Sequence, residues 1–173
     1  MIDIRPFTPA DTDGALAANE ASLPAVNSLV PEELRALAAQ SRHTLVAVGP
    51  DGVVGLMVCL DETAEYDSRN FAWLKDNLGR FSYVDRIALA PAARGSGTGE
   101  RLYRALLALL AADPDRAAQP LACEVNTRPA NPGSLRFHRR LGFTEIGAND
   151  HGDKAVVYLA RAVVPAEQQG VSA

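Results

Sequence analysis

The chain has 173 residues, of which 47% are hydrophobic and 22% are charged, and its formal net charge at pH 7 is −4. This length allows one substantial core but is short for two ordinary domains. The basic residues are scattered among acidic ones, which excludes the positive stripe of a nucleic-acid-binding protein, and no apolar run is long enough to span a membrane.

The first half of the chain predicts a strand, two helices and a hairpin. In order, these are a strand at 2–5, helices at 9–20 and 31–40, and hairpin strands at 43–48 and 53–60. The spacing of Leu34 and Leu37 gives the second helix one buried face, and Gly49-Pro50-Asp51-Gly52 has the residues of a tight turn. Residues 61–80 are polar and aromatic without a clear period, so we expect an irregular segment there.

The second half alternates strands and helices. The predicted elements are a strand at 81–89, a helix from 100 to about 112, a strand at 121–126, a helix at 132–141 and a hairpin of strands at 143–147 and 154–162. This α/β pattern contains no repeat and no linker, so we expect residues 1–164 to form a single domain and residues 165–173 a loose tail.

The N-terminus and the cysteines indicate the compartment. Residues 1–6 begin directly as a strand, without a basic segment followed by an apolar one, which predicts no secretion signal and a cytoplasmic protein. Cys59 and Cys123 lie in apolar, strand-like runs, so we interpret them as small buried hydrophobic residues rather than a disulfide or a metal site. We expect no metal.

A glycine-rich loop precedes the helix that starts near residue 100. It reads Arg94-Gly95-Ser96-Gly97-Thr98-Gly99. Its glycines let the backbone approach a ligand closely, and the following helix directs N–H groups that lack helical partners at an anion. No Gly-Lys-Ser or Gly-Lys-Thr follows, which argues against nucleotide hydrolysis, and the glycine spacing differs from a dinucleotide fingerprint. Of the phosphate ligands that such a loop can bind, the pyrophosphate of coenzyme A remains.

Two motifs resemble those of the GCN5-related N-acetyltransferase (GNAT) superfamily. Arg94, Gly97 and Gly99 match its Gln/Arg-x-x-Gly-x-Gly/Ala loop, and residues 131–143 match a later motif that carries Asn, Ser and Leu-Gly-Phe. Only the tyrosine of the later motif is replaced, by His138. Both motifs in this order, about forty residues apart, form a specific signal over roughly residues 81–147.

The resemblance implies a GNAT fold and acetyl-CoA as the acetyl donor. The fold is of the α/β (α+β) class: a central, mixed, mostly antiparallel sheet of about seven strands, with strands 4 and 5 splayed apart and helices on both faces. Acetyl-CoA would place its pantetheine along the backbone of Ile87, Ala88 and Leu89, and the N–H of Ile87 or Leu89 would face the thioester carbonyl.

The same resemblance assigns further contacts. Backbone N–H groups of residues 95–99 would bind the pyrophosphate, and Arg94 would contact phosphate or adenosine. Asn131 and Ser134 would contact the pantetheine arm or the strand that binds it, although Asn131 before a proline is equally suited to cap a helix. Relatives often dimerise, so a homodimer is possible.

Acyl transfer needs a group that removes a proton from the acceptor amine. Glu124, between Cys123 and Val125, is the first candidate, because apolar neighbours favour a carboxylate that can accept a proton near neutral pH. The alternative is a glutamate on a solvated strand face. Asp85 is the rival base, although Arg86 could simply pair with it.

His138 stands where many relatives carry the tyrosine that protonates the departing sulfur. Its imidazolium could donate that proton, or its imidazole could act as a base toward the amine. The alternative is a partly buried histidine that is hydrogen-bonded to backbone.

The acceptor must be recognised outside the donor motifs. Candidate acceptor-binding residues carry hydroxyl, amide or aromatic groups in or just after the segment 61–80: Tyr66, Ser68, Asn70, Trp73 and Tyr83. The alternative is a surface loop that Phe71 and Trp73 anchor to the core. A free amino acid, a small polyamine or drug-like amine, and a protein N-terminus or lysine all remain open as acceptors.

The sequence thus predicts an acetyl-CoA-dependent N-acetyltransferase that works by direct attack of an amine. One alternative is a non-catalytic acyl-CoA-binding or sensor module, in which Glu124 and His138 would be structural. A second is a generic anion-binding α/β domain, which would not prefer coenzyme A over other phosphates.

Overall fold

The computed structural model describes residues 1–164 and contains seven strands and five α-helices in that range. The strands are β1 Asp3–Pro6, β2 His43–Gly49, β3 Gly52–Asp61, β4 Ser82–Leu89, β5 Pro120–Arg128, β6 Thr144–Asp150 and β7 Ala155–Ala162. The helices are α1 Thr12–Glu20, α2 Pro31–Gln40, α3 Arg69–Leu78, α4 Thr98–Ala111 and α5 Pro132–Arg140. The predicted tail at 165–173 lies outside the described residues.

The seven strands form one mixed sheet in the order β1-β2-β3-β4-β5-β7-β6. The ladders β1–β2, β2–β3, β5–β7 and β6–β7 are antiparallel, whereas β4 and β5 are parallel. The parallel ladder consists of the pairs Ser82↔Leu121 and Tyr83↔Ala122, and β4 continues beyond it to Leu89. The mixed, mostly antiparallel sheet of seven strands is therefore confirmed.

The chain divides into two compact units, so the expected single domain stays a prediction. The first unit comprises Met1–Glu65 and Val84–Leu106, and the second comprises Tyr66–Tyr83 and the chain from Leu107 onward. Both units contain buried apolar residues. Fully buried examples are Leu34, Leu56, Met57, Leu102 and Tyr103 in the first, and Phe71, Phe81, Leu121 and Tyr158 in the second. Cys59 and Cys123 are both buried, as predicted.

The segment 61–80 is not irregular throughout, because α3 occupies Arg69–Leu78. Ser68 caps this helix, since its hydroxyl accepts a 3.3 Å hydrogen bond from the Phe71 N–H. Phe71 and Leu74 are buried, and Gly79 ends the helix with a φ of 71°. The prediction was wrong here because it overlooked a serine cap, a terminal glycine and the apolar spacing between them.

Among residues 1–164, no helix is long and apolar enough to cross a membrane. The same part of the chain holds no group of three or more His, Cys, Asp or Glu residues arranged to bind a metal ion.

Candidate active site

The glycine-rich loop lies in the first unit and leads into α4. Gly95 and Gly97 have φ values of 71° and 80°, a region that favours glycine, and both are exposed. The Ser96 and Thr98 hydroxyls lie 2.8 Å apart, and Ser96 also donates to the Ala93 carbonyl at 2.7 Å. The loop is thus held by its own hydroxyls, while Gly95 and Gly97 are exposed just before α4 and Gly99 is buried.

Arg94, the first residue of the loop, folds back toward the end of β4. Its Nε donates to the Leu89 carbonyl at 3.2 Å, and its Nη2 donates to the Ala21 carbonyl. Arg94 itself is exposed. In this structure its guanidinium therefore ties the loop to β4 and to the end of α1.

The end of β4 has two distinct edges. The Ala90 N–H donates to the Val54 carbonyl of β3 at 2.9 Å. Since consecutive backbone groups of a strand point to opposite edges, the N–H groups of Ile87 and Leu89 are directed away from β3. The Leu89 N–H donates to the Ser22 hydroxyl at 3.2 Å.

Asp85 forms a buried ion pair with its neighbour Arg86. Arg86 Nε lies 2.7 Å from Asp85 Oδ2, and the two side chains are only 5% (Asp85) and 2% (Arg86) exposed. The Arg86 guanidinium also donates to Asn19 Oδ1 at 3.0 Å and to Asn27 Oδ1 at 2.9 Å. This network favours the structural interpretation of Asp85, since its carboxylate already neutralises a buried cation.

Glu124 lies in the second unit at the centre of a polar cluster. Its Oε1 accepts hydrogen bonds from the Tyr83 hydroxyl at 3.0 Å and from Asn70 Nδ2 at 3.3 Å. Asn70 Oδ1 in turn accepts from the Tyr158 hydroxyl at 3.0 Å, and His151 Nε2 lies 3.4 Å from it. The structure therefore brings the candidate base Glu124 together with two candidate acceptor-binding residues, Tyr83 and Asn70.

Tyr158 and His151 are members of this cluster that the sequence analysis missed. Burial raises the pKa of the Tyr158 phenol, and the nearby charge of Glu124 acts in the same direction, while a hydrogen bond with Asn149 opposes them. Trp73, a predicted acceptor residue, stacks on Tyr158 with ring centroids 3.9 Å apart and planes 5° from parallel. No local motif marks Tyr158, which is 88 residues from Asn70.

The other two acceptor candidates support α3. Ser68 is its cap, and the Tyr66 ring packs edge-on against Phe71 with centroids 5.8 Å apart. Both side chains are half-buried. Through these contacts Ser68 and Tyr66 both interact with Phe71 in the first turn of α3.

Helix α5 carries the remaining candidates. Asn131 caps the helix, because its Oδ1 accepts a 3.2 Å hydrogen bond from the Ser134 N–H. His138 is only 3% exposed, its Nδ1 lies 2.8 Å from the Ser134 carbonyl, and its ring meets Phe143 edge-on. Burial lowers the pKa of His138 and the Ser134 hydrogen bond only partly opposes this, so a neutral imidazole predominates at pH 7. Proton donation as imidazolium is thus the less favourable of its possible roles.

Comparison with known families and structures places these features in context. The model of the Acetyltransferase (GNAT) family matches residues 17–143, well over half of the chain. This range includes the glycine-rich loop, Glu124 and α5. No curated protein sequence matches the chain.

Several solved structures share the fold. Ard1 from Thermoplasma volcanium is 18% identical with a TM-score of 0.73, and the match covers 95% of this chain and 99% of that one. Arabidopsis thaliana NAA60 in complex with acetyl-CoA is 14% identical with a TM-score of 0.73, over 94% of this chain and 99% of that one. The ribosomal-protein-S18-alanine N-acetyltransferase from Escherichia coli is 14% identical with a TM-score of 0.71, over 96% of both chains. At these identities the likeness establishes the fold.

Proposed function

The chain belongs to the GNAT acetyltransferase family, and from that premise we propose that it transfers the acetyl group of acetyl-CoA to an amine by direct attack. The observation that carries the proposal is the exposed glycine-rich loop at the N-terminus of α4, in which Gly95 and Gly97 adopt positive φ angles. This backbone suits a pyrophosphate, because Gly95 and Gly97 carry no Cβ atom that would shield their N–H groups. The structure of NAA60 with acetyl-CoA, in a related fold, supports the same donor.

Glu124 is the proposed base. An amine acceptor is protonated at neutral pH and must lose a proton before it can attack a thioester. The hydrogen bonds from Tyr83 and Asn70 support this role, since they fix the orientation of the carboxylate. Glu124 is half-buried, which allows contact with an acceptor.

The acceptor is proposed to be a primary amine of a small molecule or a peptide. The cluster around Glu124 offers one carboxylate together with the neutral polar groups of Asn70, Tyr83 and Tyr158. Such a set suits a single ammonium group better than a polyanionic or strongly apolar molecule. Trp73, stacked on Tyr158, would supply the apolar wall.

His138 is proposed to position α5 rather than to donate a proton. Its burial and its bond to the Ser134 carbonyl support a neutral imidazole that stabilises the helix. The thiolate that leaves would then take its proton from solvent or from another group.

Release of coenzyme A thiol in the presence of an amine panel tests the proposal. The panel comprises free amino acids, spermidine, a peptide with a free α-amine and an N-acetylated peptide with one lysine. We expect thiol release above the rate without amine for one of these classes, and loss of that activity in Glu124→Gln. Tight acetyl-CoA binding without release for any amine would instead favour a sensor.

A further inference from the structure

The Asn70 amide is held at both of its ends by side chains of the second unit. Its Nδ2 donates to Glu124 Oε1 at 3.3 Å, and its Oδ1 accepts from the Tyr158 hydroxyl at 3.0 Å. His151 Nε2 lies 3.4 Å from the same oxygen, which can only accept, so His151 fits as a second donor when Nε2 carries the hydrogen. The carboxylate on one side and the donors on the other therefore select the same orientation of the amide.

We propose that Tyr158 is a positioning residue that acts through Asn70 on the base, Glu124. The inference rests on the function proposed above, in which Glu124 takes the proton of the acceptor ammonium. The Tyr158 hydroxyl holds Asn70 Oδ1 away from Glu124, so that the Nδ2 donor faces the carboxylate while the amine is deprotonated. If the amide turned over, Oδ1 would lie beside Glu124 Oε1 and two acceptors would meet, which displaces the carboxylate.

The strand register and the ring packing fix the Tyr158 hydroxyl in place. Tyr158 on β7 is paired with Glu124 on β5, so the phenol and the carboxylate share one face of adjacent strands. Tyr158 is fully buried, and its ring is stacked on Trp73 with centroids 3.9 Å apart. A side chain locked by packing in this way is suited to orient a reacting group through a hydrogen bond.

The Tyr158 phenol also remains a hydrogen-bond donor at neutral pH. Burial raises its pKa above the ordinary value of 10, and the charge of Glu124 acts in the same direction, while a hydrogen bond with Asn149 opposes them. The phenol therefore keeps its proton under the conditions in which an amine is acetylated. Its contact with Asn70 Oδ1 does not switch off as the pH changes around 7.

Steady-state kinetics with the amine panel named above, at saturating acetyl-CoA, tests the inference. Tyr158→Phe keeps the ring and its stack on Trp73 but removes the hydroxyl. We expect kcat to fall by about 3- to 10-fold, the effect of one hydrogen bond. The KM for the amine should stay within about twofold of the wild type, because the hydroxyl acts on the base and not on the acceptor. A raised KM at unchanged kcat would overturn the inference, since it would make Tyr158 an acceptor contact.

Double-mutant cycles separate an effect through Asn70 and Glu124 from a general loss of packing. If Tyr158 acts through these two residues, adding Tyr158→Phe to Asn70→Ala or to Glu124→Gln should lower kcat no further. Losses that multiply in either background would overturn the inference. Such non-additivity is not expected of a hydroxyl that merely stabilises the fold.

Asn70→Asp tests the same link without altering Tyr158. The aspartate keeps an acceptor for the Tyr158 hydroxyl but replaces the Nδ2 donor by a second acceptor beside Glu124. We expect kcat to fall at least as far as in Tyr158→Phe. An unchanged kcat in Asn70→Asp would overturn the inference, even if Tyr158→Phe proved unable to fold.

Tyr103→Phe is the matched control, because Tyr103 is also fully buried but lies in the first unit. Its kcat should equal that of the wild type, and a loss equal to that of Tyr158→Phe would overturn the inference. Turnover that is lost in Glu124→Gln but unchanged in Tyr158→Phe would overturn the role of Tyr158 and leave the proposed function standing. Absence of acetyl transfer by the wild type to every amine of the panel would contradict the proposed function, and this inference with it.

Discussion

The Tyr83 hydroxyl donates a 3.0 Å hydrogen bond to Glu124 Oε1 across the β4–β5 ladder, in which Tyr83 is paired with Ala122. Ala122 and Glu124 are two residues apart on β5, so their side chains share one face of the sheet. A parallel ladder of two residue pairs is thus enough to bring a phenol to this carboxylate. The relationship joins the candidate base to a candidate acceptor residue.

Replacement of Glu124 by Gln should lower kcat/KM for the amine by about 10²-fold or more, because an amide cannot accept the ammonium proton. Tyr83→Phe should have a much smaller effect on kcat/KM, equivalent to about 1 kcal/mol in activation free energy, since it removes one hydrogen bond and leaves the carboxylate. Steady-state kinetics at saturating acetyl-CoA measures both. Turnover by Glu124→Gln equal to that of the wild type would exclude Glu124 as the base.

Asp85→Asn should lower the stability of the folded protein, rather than remove a catalytic base. The substitution leaves Arg86 as a buried cation without its carboxylate, and breaking such a pair costs about 3 to 5 kcal/mol. Thermal unfolding should therefore occur at a clearly lower temperature. An unchanged Tm combined with lost turnover would make Asp85, rather than Glu124, the base.

The two motifs allowed the family to be predicted, and hydrophobic periodicity together with turn residues allowed most helices and strands to be predicted, because each of these signals depends on residues close in sequence. Ser68 and Gly79 were local signals for α3 that the apparent lack of a period obscured. Tyr158 and Ser22 were out of reach for a different reason. Their contacts with Asn70 and Leu89 join residues 88 and 67 positions apart, and only the tertiary fold brings such pairs together.

His138 should make the protein less stable as the pH falls. Its pKa in the folded protein lies below the usual 6.5 because of burial, so the unfolded chain binds a proton more readily. Its contribution is fully present above pH 6.5 and is lost as the pH falls toward the lowered value. In His138→Asn, which keeps a donor for the Ser134 carbonyl, the free energy of unfolding should decline less between about pH 7 and 5.

Denaturant unfolding at several pH values measures this difference. Arg139→Gln is the control, since Arg139 lies exposed on the same helix. The prediction would be contradicted if the free energy of unfolding declined equally with falling pH in the wild type and in His138→Asn.

Gly147→Ala should displace Trp73. A Cβ at residue 147 would lie 2.5 Å from two atoms of the Trp73 ring, which is too close without movement of the indole. We expect a loss of about 1 to 3 kcal/mol of stability and a change in fluorescence, because the chain has one tryptophan. Gly133→Ala, where an added Cβ meets nothing within 4 Å, should leave the emission unchanged. Identical spectra for Gly147→Ala and wild type would show that Trp73 is not held against residue 147.

Calorimetric titration with acetyl-CoA, with ATP and NAD as competitors, tests the central claim most directly. A Cβ at Gly97 would meet nothing within 4 Å, so in Gly97→Glu the side chain would extend from the loop and place a negative charge beside the pyrophosphate. Gly97→Ala imposes the same positive-φ strain without the charge and serves as the control. We predict micromolar-range binding by the wild type that is selective for acetyl-CoA, weaker binding by Gly97→Ala and none by Gly97→Glu. Absence of binding by the wild type, or equal binding of ATP and NAD, would contradict the account.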